Sequence, residues 1–235
     1  MSEHIGTLKE RSLHAAVKQW YSSPGDELEK RVAGYVVDIV RNDESVDCDR
    51  PLLIEIQTRN FTPLKRKLDK LTEEYAVRLV HPIAKEKWIV RVAADGETQI
   101  GRRKSPKRGT VAHLFDQLVS IPELVNRDLF SVEVLLIQEE EVRCHDGKGS
   151  WRHPEWTRSD RRLLKVVERQ LFKGSSDFLQ FVPPDIVRPF TNKQLARVGK
   201  YSVALATKIT YCLKKMGVLD VVGKDRNAQL FSDRI

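Results

Sequence analysis

Three carboxylate residues, Glu10, Asp38 and Glu55, lie on segments whose other residues are mainly apolar. Glu10 belongs to the inward face of a predicted amphipathic helix, and the other two interrupt predicted strands. Neighbouring strands would bring Asp38 and Glu55 together, and a helix packed on them would add Glu10. Because like charges resist crowding, such a cluster indicates a bound cation. Its all-oxygen ligands favour Mg²⁺ or Mn²⁺ over zinc.

Each of these acids also has a structural interpretation. Asp38 could form an ion pair with Arg31 or Arg59. Glu55 could stand exposed at a sheet edge, and Glu10 could cap its own helix. Acids on strands are common, so spacing alone leaves both the metal cluster and these alternatives open.

The order of these residues resembles the PD-(D/E)XK nuclease superfamily, which has the restriction-endonuclease-like fold. In that family a helical Glu precedes a strand Asp, and the next strand carries Glu-x-Lys. The likeness covers residues 7 to 93 by element order. It implies hydrolysis of nucleic-acid phosphodiester bonds with bound Mg²⁺ or Mn²⁺, and we expect DNA to be the substrate. It assigns catalysis to Glu10, Asp38, Glu55 and Gln57, and metal ligation to Glu10, Asp38, Glu55 and Ile56.

Two positions depart from the family pattern. Val37 stands where the motif has proline, at a position that varies among members. Gln57 replaces the lysine that normally adds positive charge beside the nucleophile, so this residue can only orient water by hydrogen bonding. Lys65 or Lys67 on the next helix could supply that charge, or both could belong to a solvated face. The rival interpretation is a non-catalytic DNA-binding or assembly protein that keeps the nuclease fold as a scaffold.

A mixed α/β domain must position these residues. One helix should start with Thr62 as its N-cap and Pro63 in its first turn, with an apolar spine that extends to Leu79. The pattern favours a restriction-endonuclease-like mixed sheet flanked by helices. The predicted order is a helix over residues 8 to 21, strands over 31 to 40 and 52 to 58, the helix from Thr62, a strand over 87 to 93, a helix over 110 to 125 and a strand over 131 to 138.

Residues 102 to 108 contain five cations in seven positions, with a proline and no apolar periodicity. We expect this segment to be an exposed, mobile loop. Beside a nuclease site it would contact phosphate, and the alternatives are a solvated hairpin or a contact within an oligomer such as a homodimer. The candidate phosphate contacts are Arg102, Arg103, Lys104, Lys107 and Arg108.

The positive charge is concentrated toward the carboxy terminus. Residues 158 to 235 carry 16 Lys and Arg against 7 Asp and Glu, a net +9, whereas residues 1 to 157 carry 25 against 26, a net −1. Contacts to phosphate release counterions from nucleic acid, so this excess favours a polyanionic partner over a merely solvated basic face. Gly and Ser punctuate residues 146 to 157. We therefore predict a nuclease-like domain over residues 1–157 and a second domain over residues 158–235.

The second domain resembles a winged helix. Thr191 is the expected N-cap of one helix, a turn spans residues 198 to 200, and a longer helix covers residues 202 to 216. Two strands joined by a turn at residues 223 to 227 complete the pattern. DNA-binding members place the longer helix in the major groove of duplex DNA, whereas other members dock proteins. The candidate DNA contacts are Lys193, Tyr201, Ser202, Lys208, Lys224 and Arg226.

The composition excludes several protein classes. The chain has 235 residues, of which 40% are hydrophobic, 7% aromatic and 31% charged, so it is neither a disordered nor a collagenous chain. No apolar run reaches about 18 residues and no signal sequence is evident, so we expect a cytoplasmic protein with no membrane partner. Cys48, Cys144 and Cys212 lie far apart, which favours a reducing compartment. Cys144, His145 and His153 lack the spacing of a zinc site.

Overall fold

The computed structural model describes residues 12–42, 50–148 and 155–234. The chain forms two compact units, and each consists of three separated segments. The first unit comprises residues 1–24, 82–110 and 135–169, and the second comprises residues 25–81, 111–134 and 170–235. The boundary predicted between residues 157 and 158 falls at the start of a strand of the large sheet.

The protein has a mixed α/β architecture, as predicted. Over the described residues, the strand order of its large sheet is β1-β2-β3-β4-β6-β7, with β5 paired to β4. The elements are α1 (Ser12–Tyr21), β1 (Glu27–Val32), β2 (Tyr35–Arg41), β3 (Leu52–Ile56), α2 (Lys65–Leu71), β4 (Ala76–Val92), β5 (Gln99–Lys104), α3 (Phe115–Leu118), β6 (Phe130–Cys144), β7 (Thr157–Phe172), α4 (Asn192–Val198), α5 (Val203–Lys215), β8 (Leu219–Asp225) and β9 (Ala228–Asp233). Strands β3 and β4 are parallel, whereas β1 with β2, β2 with β3, and β4 with β5 are antiparallel. No helix in the described part of the chain combines the length and apolar character that crossing a membrane requires.

A hairpin replaces the single strand predicted over residues 31 to 40. Strands β1 and β2 meet at a two-residue turn, in which Ala33 and Gly34 have φ values of 48° and 84°. Positive φ at both central residues gives the backbone twist that a tight antiparallel hairpin needs. Five of the six residues of β1 are exposed, so no apolar pattern marks this strand in the sequence.

The helix after β3 is shorter than predicted. Thr62 is not an N-cap: its amide donates to Asn60 Oδ1 at 2.9 Å, and the N-cap positions are Phe61 and Leu64, neither of which makes a side-chain cap hydrogen bond. A 3-10 turn over Thr62–Leu64 precedes α2, which ends at Leu71. Leu79 continues the helical spacing of the earlier leucines but lies on β4. The beginning of β4 is almost continuously apolar, so its sequence fits a buried strand as well as a helix face.

Strand β5 occupies the start of the segment that was expected to be a mobile basic loop. The preceding turn is held by Asp95, whose carboxylate accepts hydrogen bonds from the amide and the hydroxyl of Thr98. Across the hairpin, Arg102 and Lys104 lie over the Trp88 ring, each 5.1 Å from its centre. Cation–π contacts and strand pairing therefore order these cations.

Two later elements also differ from their predicted extent. The helix expected over residues 110 to 125 consists of two 3-10 segments, Val111–Leu114 and Pro122–Asn126, separated by the short α3. Pro122 begins the second of them, which explains the interruption. Strand β6 is longer than the predicted strand over residues 131 to 138. Strand β7 was not predicted, because most of its residues are not buried and many are charged.

The carboxy-terminal elements belong to the second unit and follow the predicted order. A 3-10 helix over Ser175–Phe181 precedes α4, and Phe178 packs with Phe172 at a ring distance of 4.6 Å. The predicted N-cap at Thr191 is confirmed: its hydroxyl accepts from the Gln194 amide, and the Gln194 side chain accepts from the Thr191 amide. Helix α5 and the β8–β9 hairpin complete the segment.

Candidate functional site

Asp38 and Glu55 lie together where β2 and β3 separate. Pairing between the two strands ends at Ile39 and Ile54, and the next residue on each strand is one of the acids. Asp38 Oδ2 accepts a hydrogen bond from the Ile56 amide at 2.8 Å, and the Asp38 amide donates to the Glu55 carboxylate. The Asp38 side chain thus accepts from an amide that the separating backbone of β2 no longer reaches.

Glu55 is a buried acid in the interior of the sheet. Its strand lies between β2 and β4, and the residue is 7% exposed, which excludes the alternative of an exposed position at a sheet edge. Burial, followed by the charge of Asp38, raises the pKa of Glu55 to about 7, while Lys67 acts in the opposite direction. Glu55 can therefore lose its proton near neutral pH when a cation is supplied.

Helix α2 brings Lys67 to this carboxylate. Lys67 Nζ lies 2.5 Å from Glu55 Oε2 and donates to the Val36 carbonyl at 2.6 Å. Lys65 is exposed, because side chains two positions apart on a helix point in different directions. Of the two lysines that could replace the missing charge at Gln57, only Lys67 is placed at the acids.

Strand β4 holds the end of β3. The Gln57 amide donates to the Val80 carbonyl at 2.9 Å and so continues the parallel ladder by one residue. The amide and carbonyl of one strand residue point to the same side, so the Ile56 carbonyl faces the side on which Asp38 accepts the Ile56 amide. This orientation suits Ile56 as a main-chain oxygen ligand. Strand alternation puts Gln57 on the same face as Glu55.

The donor set of this site fits a hard divalent cation. Two carboxylates and a main-chain carbonyl are the oxygen ligands that magnesium and manganese prefer, and Glu55 Oε2 is sealed from solvent. Glu10 lies outside the described residues. Over the residues that are described, no group of three or more His, Cys, Asp and Glu side chains could hold a metal ion. The described part of the site thus contributes Asp38, Glu55 and Ile56.

His81 is a residue of this region that the sequence analysis missed. Its Nδ1 lies 2.5 Å from the Gln57 carbonyl oxygen, and its ring packs edge-on against Phe61 with centres 5.0 Å apart. Both side chains are buried. The available signal was a histidine inside an apolar strand, and that pattern alone does not distinguish a site residue from a core residue.

The basic residues of β5 and the segment after it differ in their surroundings. Arg102 pairs with Glu140 at 2.7 Å, and Lys104 pairs with Glu86 at 2.5 Å. Arg108 is 3.8 Å from the same Glu86 and is largely exposed. Arg103 and Lys107 are also exposed. A phosphate would therefore meet the least hindrance at Arg103, Lys107 and Arg108.

Three of the candidate DNA contacts near α5 take part in holding the fold. Lys208 Nζ lies 2.8 Å from Asp116 Oδ1. The Tyr201 hydroxyl donates to the Phe181 carbonyl at 3.3 Å. The Ser202 hydroxyl caps α5 by accepting from the Leu205 amide at 3.1 Å. These side chains would have to exchange existing bonds to reach a ligand.

The other three candidate contacts face solvent. Lys193 and Arg226 line a cleft of about 780 Å³ between α4, α5 and the turn of the β8–β9 hairpin. Lys224 is exposed on β8. Thr207 and Gln229 also line the cleft and offer hydrogen-bonding groups there. Asp225 lines the cleft too, so this surface combines two cations with one carboxylate and several polar groups.

Comparison with known proteins places this site within a family. The family model described as Domain of unknown function (DUF8091) matches residues 11–173, which include the described site. An uncharacterized protein from Treponema pallidum (strain Nichols) is 27% identical over 195 residues, which cover 83% of this chain and 74% of that protein. No solved structure matches the chain. Because the family model covers well over half of its residues, the chain belongs to the DUF8091 family.

Proposed function

We propose that this protein is a divalent-metal-dependent nuclease that hydrolyses DNA phosphodiester bonds. The observation that carries the proposal is the meeting of Asp38, Glu55 and Lys67 where β2 and β3 separate. Two carboxylates are held together there even though burial, and then the charge of Asp38, raises the pKa of Glu55. Hydrogen bonds to the strand backbones do not require two acids at such close range, whereas cation binding does.

Each residue of the site would have its own role in the reaction. Bound magnesium would activate water and stabilise charge on the scissile phosphate. Asp38, Glu55 and the Ile56 carbonyl would hold the ion, with Glu10 as a further proposed ligand. Lys67 would add positive charge beside the phosphate, which compensates for Gln57 at the usual lysine position. Gln57 would orient water by hydrogen bonding.

We also propose that the carboxy-terminal elements form a winged helix that holds duplex DNA. The order of helix, turn, helix and hairpin supports this assignment. Lys193, Lys224 and Arg226 are the cations proposed to contact phosphate, because they are exposed beside or near the cleft. Lys208 would first have to leave Asp116. Protein docking is the alternative use of such a domain.

A non-catalytic scaffold is the second candidate function, and Gln57 is the observation that favours it. A DNA-binding or assembly protein could retain the fold without turning over substrate. It would bind duplex DNA without metal and leave that DNA intact. The two candidates therefore differ in one measurable product, a cleaved strand.

The test uses the full-length protein with labelled duplex, branched and single-stranded DNA. Each substrate is incubated with magnesium, with manganese or with EDTA, and strand length is read on a denaturing gel. We expect cleavage with either metal and none with EDTA. Binding without cleavage of any substrate would overturn the nuclease proposal and favour the scaffold.

A further inference from the structure

The Gln57 carbonyl lacks a backbone donor on the neighbouring strand. In a parallel ladder, β4 would offer the Val80 carbonyl to the Gln57 amide and the amide of residue 82 to the Gln57 carbonyl. The first bond is present at 2.9 Å. Residue 82 is proline, which has no amide proton, so the second bond cannot form.

The His81 ring supplies a donor in place of that amide. Its Nδ1 lies 2.5 Å from the Gln57 oxygen, and because a carbonyl only accepts, Nδ1 carries the proton. The residue is 5% exposed, and the fully buried Phe61 packs against the ring edge-on. Packing therefore fixes the ring in the orientation that the hydrogen bond needs.

Residues 80 and 81 consequently hold both peptide groups that flank Gln57. The peptide before Gln57 is fixed by Val80, and the peptide after it is fixed by His81. These two planes determine where the Gln57 side chain and the Ile56 carbonyl point. Small displacements of such groups have large effects on reaction rates, because reacting atoms must be held within fractions of an ångström.

We infer that His81 is a positioning residue that fixes the end of β3, and with it Gln57 and the Ile56 carbonyl. His81 acts through this hydrogen bond and transfers no proton in the reaction. Its effect on catalysis rests on the proposed nuclease function. The hydrogen bond itself can be tested without any reference to cleavage.

The experiment compares His81→Asn with His81→Leu in the full-length protein. The asparagine amide nitrogen can take the place of Nδ1, whereas leucine fills similar space without a donor. Val134→Ala, which removes two methyl groups from a buried position on β6, controls for general loss of stability. The measurements are magnesium-dependent cleavage under single-turnover conditions, Mn²⁺ affinity by electron paramagnetic resonance, and hydrogen exchange at the Gln57 amide.

We expect His81→Leu to slow cleavage by about tenfold or more, to weaken Mn²⁺ binding and to speed exchange of the Gln57 amide. His81→Asn should stay within about threefold of the wild-type rate, and Val134→Ala should do so despite its lower melting temperature. Equal rates for the two His81 variants, or rates that simply follow melting temperature, would overturn the inference.

The exchange measurement separates this inference from the proposed function. If the wild-type protein cleaves no substrate, the nuclease proposal fails, and the Gln57 amide still reports on His81. Faster exchange in His81→Leu than in His81→Asn would then support the positioning role. The same exchange rate in both variants and the wild type would reject it.

Discussion

At Glu55, burial and the charge of Asp38 oppose ionisation, whereas Lys67 favours it. The carboxyl therefore holds its proton to higher pH than an exposed glutamate does, and a divalent cation must compete with that proton for the same oxygens. Metal binding at this site should release a proton near neutral pH. Burial of the Glu55 carboxyl thus opposes folding at neutral pH, and the same carboxyl makes the site responsive to a cation.

Stability without metal should depend on this carboxyl. Because the pKa of Glu55 is raised from 4.5 to about 7 on folding, its contribution is complete below about pH 4.5 and is lost as the pH rises through about 7. Relative to Glu55→Gln, we expect the wild-type protein in EDTA to lose melting temperature between about pH 5 and about pH 8. Parallel pH profiles for the two proteins, by thermal unfolding, would contradict the raised pKa.

Replacing either acid should separate cleavage from binding. We expect Asp38→Asn and Glu55→Gln each to slow cleavage by at least about 100-fold, because each removes a charged oxygen ligand. Duplex affinity should change little, since the proposed grip lies on other elements. Cleavage assays and fluorescence anisotropy give the two quantities. Undiminished cleavage by either variant would remove that residue from the site.

Lys65 and Lys67 of α2 provide a matched pair. Lys67→Met should slow cleavage by about tenfold to 100-fold, because it removes the ammonium group beside Glu55. Lys65→Met, a change of the same kind on an exposed neighbour, should have no effect. Single-turnover cleavage rates decide between the two. Equal effects from both substitutions would mean that the charge of Lys67 is not specific to the site.

A lysine at position 57 of the strand should restore the cleavage that is lost when Lys67 is replaced. If Lys67 compensates for the missing strand lysine, Gln57→Lys should recover most of the cleavage that Lys67→Met loses, whereas Gln57→Ala alone should reduce cleavage. The same single-turnover assay measures all combinations. A double variant that is no more active than Lys67→Met would show that the two positions do not share a role.

At the scale of elements, the sequence predicted those strands and helices whose signals are local. Strand β3 and the strand bearing Asp38 have apolar patterns interrupted by single acids, and α4 has a capping pair that can be read directly. Strand β1 was missed because it is exposed. The start of β4 was assigned to a helix because Leu79 falls at both helical and strand spacing.

The residues that complete the site could not be located from such local signals. Lys67 reaches Glu55 through a tertiary contact between α2 and β3, and the sequence equally allowed Lys65. His81 matters because residue 82 is a proline in a parallel pair, and strand pairing was not known in advance. Asp38 and Glu55 were found because their residue type conflicts with their strands.

The capping pair of α4 can be tested by itself. Thr191→Ala should lower the free energy of unfolding by about 1 kcal/mol, because the Gln194 amide loses its acceptor. Lys193→Ala, at an exposed position of the same helix, should change stability much less. Urea unfolding measures both. A Thr191→Ala protein as stable as Lys193→Ala would contradict the assigned cap.

At the scale of the whole molecule, the basic carboxy-terminal third is shared between the two units. Residues 158–169 belong to the first unit and residues 170–235 to the second, and the latter segment carries 11 Lys and Arg against 5 Asp and Glu, a net +6. Deletion from residue 158 would remove β7 from the sheet along with the proposed DNA grip. Charge reversal at exposed residues is therefore the cleaner test.

Reversing Lys193, Lys224 and Arg226 to Glu should weaken duplex binding and flatten its dependence on salt. Each lost phosphate contact should lower the slope of log affinity against log salt by about 0.9, so the triple variant should lose up to about 3 units. Reversal of Lys30 and Arg31, which are exposed on β1, is the control. Salt titrations by fluorescence anisotropy give both slopes. A triple variant with the wild-type slope would move the carboxy-terminal elements to protein docking.

The interleaving of chain segments also affects synthesis. The second unit needs residues 170–235, so the strands bearing Asp38 and Glu55 cannot complete it until those residues have been translated. At about 5 to 20 residues per second, the interval between synthesis of residue 81 and of residue 235 is roughly 8 to 30 s. During that time the nascent chain exposes β3, all five of whose residues are buried in the finished fold. An apolar strand that waits for its partners in this way is prone to aggregate during synthesis.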